Sequence, residues 1–147
     1  MRAFSLASLV LLIPCAACGN GESKWGTEMS QETPIATATM YYSDAVDAAL
    51  AQSIFQAMID ANYNFASGLP EQVDRVDGRL TLRLGNDNQE SISEIIAEGE
   101  ENGAVSYFHG LALHLSGIAS GEEIDIVLCR ESLDDAFYTV AWQALAD

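Results

Sequence analysis

Two histidines, a lone apolar-flanked cysteine, two arginines on one short segment and many carboxylates are the residues through which this chain could do chemistry. His109 and His114 are its only histidines. Five residues apart on a helix they diverge by about 140°, whereas a shared metal face needs a spacing of three or four. No HExxH is present, and a metal site would need acids from elsewhere in the fold. Cys129 ends an apolar run, and no adjacent motif supplies a base or lowers its pKa. It therefore reads as a small hydrophobe and not as a nucleophile. Asp87-Asn88-Gln89-Glu90 lacks the alternation and the glycine of a calcium loop. Glu98-Gly99-Glu100-Glu101 and Asp134-Asp135 read as solvated charge runs. No GxGxxG, P-loop, GxSxG or CxxCH occurs, so no catalytic residue, metal or cofactor is assigned. Arg79, Thr81 and Arg83 project from one face of a predicted strand, with Asp74 opposite Thr81. Surface ion pairs are the simple reading, and an anchor for an anionic group the sharper one.

The elements that must position these residues follow from periodicity. Residues 35–42, rich in Thr, Tyr and Ile, predict a first strand. Ser43-Asp44 supplies a helix N-cap, and Leu50, Ile54, Met58 and Ala61 recur at helical spacing to about Asn62. Residues 72–76 and 79–84 flank Asp77-Gly78, a strong hairpin signal. A two-residue turn there sets Val73 opposite Leu82, on the apolar face made by Leu80, Leu82 and Leu84. A later helical region divides at Gly99 and Gly103 into residues 89–98 and 104–116, the alternative being one glycine-weakened helix. Residues 124–129 read as a buried strand and 137–142 as a last one. The order is β-α-β-β-α-β with an extra C-terminal strand. The expected fold is α+β: a ferredoxin-like, two-layer sandwich with both helices on one face of an antiparallel sheet. Its uncovered sheet face would be a natural binding surface.

The 147 residues include 6 Lys or Arg and 22 Asp or Glu, a net of −16. That sign argues against nucleic acid, which needs a basic surface, and against direct adhesion to anionic headgroups. A cationic protein, a divalent cation or no charged partner remain. The N-terminus carries a separate signal. Met1-Arg2, an apolar run over residues 3–14 and small Ala16 and Ala17 precede Cys18, the order of a secretory signal with a small-residue cleavage site. With a Cys directly after the cut, Leu11-Leu12-Ile13-Pro14-Cys15-Ala16-Ala17-Cys18-Gly19-Asn20 resembles the lipobox of bacterial lipoproteins. The resemblance implies cleavage before Cys18, a diacylglycerol on its sulfur and a further acyl chain such as palmitate on its amine. More than one chain is what stable anchoring needs. Residues 1–17 are then signal peptide, 18–33 the lipidated Cys and a flexible polar tether closed by Pro34, and 34–147 a single domain. Loss of Arg2 with the signal takes the net charge from −16 to −17. Cys15 leaves as well, so Cys129 has no intramolecular disulfide partner, and the Cys15–Cys18 pair is not a redox motif. Gly19 after the lipidated Cys resembles signals for outer-membrane sorting, which implies the periplasmic side of that membrane.

Three further segments carry a second resemblance: Met40-Tyr41-Tyr42-Ser43-Asp44-Ala45-Val46 with its Ala-rich continuation, Phe108-His109-Gly110-Leu111-Ala112-Leu113-His114-Leu115-Ser116, and Ile124-Asp125-Ile126-Val127-Leu128-Cys129. Together they resemble a domain of uncharacterised bacterial envelope proteins over roughly residues 39–133. That family has no assigned activity and implies no catalytic residue. The expectation is a lipid-anchored envelope module that binds or scaffolds and is not an enzyme. Tyr41, Arg79, Thr81 and Arg83 on the open sheet face are its expected contacts with an envelope protein partner. An inhibitor or immunity-type factor neutralising a cationic protein is one alternative, motivated by the charge. A small metal-dependent hydrolase is another, motivated only by the abundance of carboxylates.

Overall fold

In a computed structural model of the chain, residues 24–63, 65, 68–86, 94 and 104–143 are described. The elements are β1 (Thr27–Glu32), β2 (Thr37–Tyr42), α1 (Ala48–Asp60), β3 (Glu71–Val76), β4 (Arg79–Gly85), α2 (Ala104–Ile118), β5 (Ile124–Cys129) and β6 (Ala136–Val140). All six strands join one sheet in the order β1-β2-β3-β4-β5-β6. The fold is therefore α+β, a six-stranded sheet with two helices among the described residues.

The sheet is mixed, not antiparallel. β2 and β3 pair in parallel, as do β4 and β5, while the other three pairs are antiparallel. In the expected split arrangement another strand would lie between the two strands of each crossover. Here they are direct neighbours, and each helix closes an adjacent parallel pair. Leu80, Leu82, Leu84, Ile124, Ile126 and Leu128 all point to the face that α1 and α2 cover. Both crossovers step the same way across the sheet, from strands of opposite direction. With both helices on one face, the two crossovers must turn with opposite hands.

A second correction concerns the N-terminal segment. Residues 27–32, assigned by composition to a tether, form β1 and pair with β2 along its whole length, Thr27 opposite Tyr42 through Glu32 opposite Thr37. The polar composition misleads because Met29 is the one buried residue of this edge strand. Pro34 does not close a tether. It sits in the tip of the β1–β2 hairpin, where Thr33 N–H donates to Ala36 O at 3.0 Å and Thr33 Oγ1 donates to the same oxygen at 2.6 Å.

α1 starts later than expected, with Asp47 as N-cap. Its Oδ1 accepts from the amides of Ala49 (2.9 Å) and Leu50 (3.2 Å), satisfying donors that the first turn leaves open. Ser43 instead donates to Asp74 on β3. The Asp-Gly hairpin forms as predicted: Asp77 (φ 51°) and Gly78 (φ 82°) both take the left-handed conformation that a two-residue turn demands. Val73 lies opposite Leu82 and Asp74 opposite Thr81. β5 spans residues 124–129 as predicted. Of the helix expected over residues 89–98 only Glu94 is described, and it is helical and exposed.

The main core joins Ala38 and Met40 of β2 to Ile54, Phe55 and Met58 of α1, the β4 and β5 leucines and isoleucines, and Phe108, Leu111 and Leu115 of α2. A smaller cluster of Val127, Cys129 and Leu133, with Trp25 packed against it, lies on the other side of the sheet. No helix among the described residues is long and apolar enough to cross a membrane.

Candidate functional site

The four residues expected to contact a partner do share the face away from the helices. One cross-strand row runs Glu28, Tyr41, Gln72, Arg83, Val127 and Thr139 through all six strands. Three of the four have an internal contact that holds them, and the fourth, Thr81, is buried. Tyr41 stacks edge-on against Trp25 at 5.6 Å and donates its hydroxyl to Glu28 at 3.1 Å. Burial raises the Tyr41 pKa, and the Glu28 carboxylate raises it further. Arg79 grips Asp125 with two hydrogen bonds, of 3.0 and 2.9 Å, and meets Glu123 at 2.9 Å. Arg83 donates to the carbonyl of Leu133 at 3.3 Å. Lys24, Arg75 and Arg130 are paired too, with Asp134, Glu122 and Asp135. Every basic side chain after Arg2 thereby has a polar partner within the protein.

Leu133 and Trp25 also cover Cys129. Its thiol lies 3.5 Å from the Leu133 carbonyl, and burial raises its pKa against the lowering influence of Arg83. A thiol so placed is packing, not a nucleophile. His109 is half-buried and His114 exposed on α2. Among the described residues, no three His, Cys, Asp or Glu side chains converge as a metal-binding group. Cys18 lies outside the described residues.

A concavity lies elsewhere, between the hairpin tip and the end of α1. It has a volume of about 430 Å³ and is lined by residues 33–36, Ile59, Asn62, Tyr63 and Phe65. Local chemistry builds both walls. Pro34 favours the first central position of the tip turn, and Thr33 closes it through its hydroxyl. Ile35 is thereby held out at 83% exposure. On the other wall α1 ends in a Schellman motif. Asn62 is left-handed (φ 55°) and donates to Ile59 O at 3.0 Å, and Tyr63 donates to Met58 O at 2.9 Å. That turn directs Tyr63 back over the core.

Glu71, at the start of β3, holds Tyr63 in place. Sequence reasoning missed it. Its side chain is only 1% exposed, and the Tyr63 hydroxyl donates to it, while Oε2 has no hydrogen-bond partner among the described residues. Burial pushes the carboxyl up to about 9, and the Tyr63 hydrogen bond only partly opposes this. Burial and the neighbouring carboxyl raise the Tyr63 pKa, and Tyr107 of α2 is raised in the same direction by the same two causes. Glu71 is thus a neutral acid at pH 7. Phe65 completes the wall, edge-on to Tyr63 at 5.1 Å and to Phe55 at 5.7 Å. Its other side lines a shallower depression of about 360 Å³, with Trp25, Tyr41 and Pro70.

The arrangement can take up an apolar side chain beside a rigid aromatic wall. Compared with known protein families, with curated proteins and with solved structures, the chain matches none.

Proposed function

We propose that this chain is a lipid-anchored bacterial envelope protein whose domain acts by binding a protein partner. Ile35 carries the binding part of the reading. A large apolar side chain held 83% exposed beside an apolar groove loses favourable transfer energy in the free protein, and a partner recovers it. The anchor part rests on the residues around Cys18, and Gly19 supports the periplasmic side of the outer membrane. Lys24 is held to Asp134. The leash from Cys18 to the folded domain is therefore six residues long, about 20 Å at full stretch.

Two measurements test the reading. Metabolic labelling with an alkyne palmitate should mark the wild type and not Cys18→Ala, and the variant should leave the membrane fraction. A photocrosslinker replacing Ile35 in living cells should give a discrete adduct, while one replacing exposed Ser53 should not. Absence of any Ile35 adduct would remove the binding reading.

An inhibitor of a cationic protein is the second reading. Residues 25–74, which build both walls of the groove, contain seven Asp or Glu and no Lys or Arg.

A further inference from the structure

We propose that the groove between the hairpin tip and the end of α1 takes an aliphatic anchor from a Lys- or Arg-bearing segment of a partner protein. The inference rests on the binding reading and names the partner chemistry for that surface. Three observations converge on it. The groove is apolar, and its Tyr63 wall is fixed from behind by Glu71, so little side-chain entropy is lost on filling it. The two segments that frame it end in Glu32 and Asp60, which are exposed, and no basic residue lies between positions 25 and 74. Finally, β1 runs away from the anchored end. Its six residues carry the hairpin tip about 20 Å from the leash.

The same observations disfavour other occupants. A second copy would bring Glu32 and Asp60 of one chain against those of the other, and an anionic lipid surface meets the same repulsion. A cationic segment gains from the rim, and its aliphatic side chain gains from the groove.

The test uses the purified mature chain and two labelled peptides of equal positive charge, one alternating Leu with Lys and the other Ser with Lys, read by fluorescence anisotropy. The Leu peptide should bind about tenfold more tightly than the Ser peptide, the scale of burying one aliphatic side chain. Ile35→Ser should remove that preference while leaving the thermal unfolding curve in place, because Ile35 is exposed. Equal binding of the two peptides, or a preference that survives Ile35→Ser, overturns the proposal as charge attraction alone. A concentration-dependent dimer that Ile35→Ser abolishes overturns it in favour of a second copy. An Ile35 adduct in cells alongside either failure keeps the binding reading and removes only this partner chemistry.

Discussion

Replacing Glu71 with Gln should stabilise the protein at neutral pH and leave it unchanged in acid. The folded carboxyl titrates near 9 against an ordinary value of 4.5, so between those values the native state holds a proton that the unfolded chain has released. Stability must then fall as pH rises, by about 1.4 kcal/mol per pH unit. The contribution is fully present below pH 4.5 and is lost as pH climbs towards 9. At pH 7 the loss comes to about 3 kcal/mol. Gln still accepts from the Tyr63 hydroxyl, carries no proton to lose and fills the same volume, so it escapes this term. Urea unfolding at pH 4.5, 6 and 7, followed by the fluorescence of Trp25 and Trp142, measures it. The difference between variant and wild type is the quantity to read, because the other carboxylates titrate alike in both. It should start near zero at pH 4.5 and grow to about 3 kcal/mol in favour of Gln. A difference that stays constant across the three pH values, or one favouring the wild type at pH 7, would refute the reasoning.

A Cβ at Gly85 would stand 2.7 Å from the Pro70 carbonyl oxygen and 2.9 Å from Leu69 Cβ. Gly85→Ala should therefore cost about 1–3 kcal/mol in urea unfolding; no cost would mean that the 68–70 segment gives way. Asp47→Ala removes the acceptor at the start of α1 and should cost about 1 kcal/mol, a loss that Asp47→Asn largely restores. The Cys129 thiol, fully buried under Leu133, should resist Ellman's reagent in the native state and react as the protein unfolds in urea; prompt native reactivity would contradict that cover. Added salt should slow association of the Leu-Lys peptide with little change in its dissociation, whereas Ile35→Ser should speed dissociation. Stopped-flow mixing separates the two.

Local chemistry made some elements legible and non-local pairing hid others. The β3–β4 hairpin could be read in detail because Asp77-Gly78 carries its own geometry, and a two-residue turn sets the register. β1 could not. Its sequence, Thr-Glu-Met-Ser-Gln-Glu, buries only Met29, and its order comes from hydrogen bonds to β2, which no local pattern announces. The adjacency of β2 with β3 was equally hidden, since element order does not say which strands touch. Glu71 was within reach. Val73 was placed on the apolar face, and a period of two puts Glu71 there as well; the strand predicted from residue 72 starts one position too late to include it. The cover on the far face was out of reach, because Leu133 and Trp25 meet Cys129 only through tertiary folding.

The groove is a consequence of how little β2 and β3 overlap. Only Tyr41 and Tyr42 find partners on β3, in Gln72 and Val73, while β2 pairs with β1 along six residues. The first three residues of β2 therefore run on past the start of β3, and the hairpin tip projects further still. The space beside them cannot be filled by a strand. The Schellman turn of α1 fills part of it, and Phe65 stands in the middle with one depression on either side. Had β3 begun three residues earlier, ladder hydrogen bonds would have closed both depressions, and Tyr63 would have had no wall to form. The short overlap sacrifices sheet pairing at this point. It leaves behind a concave apolar surface whose back is held by Glu71 and whose lip is Ile35.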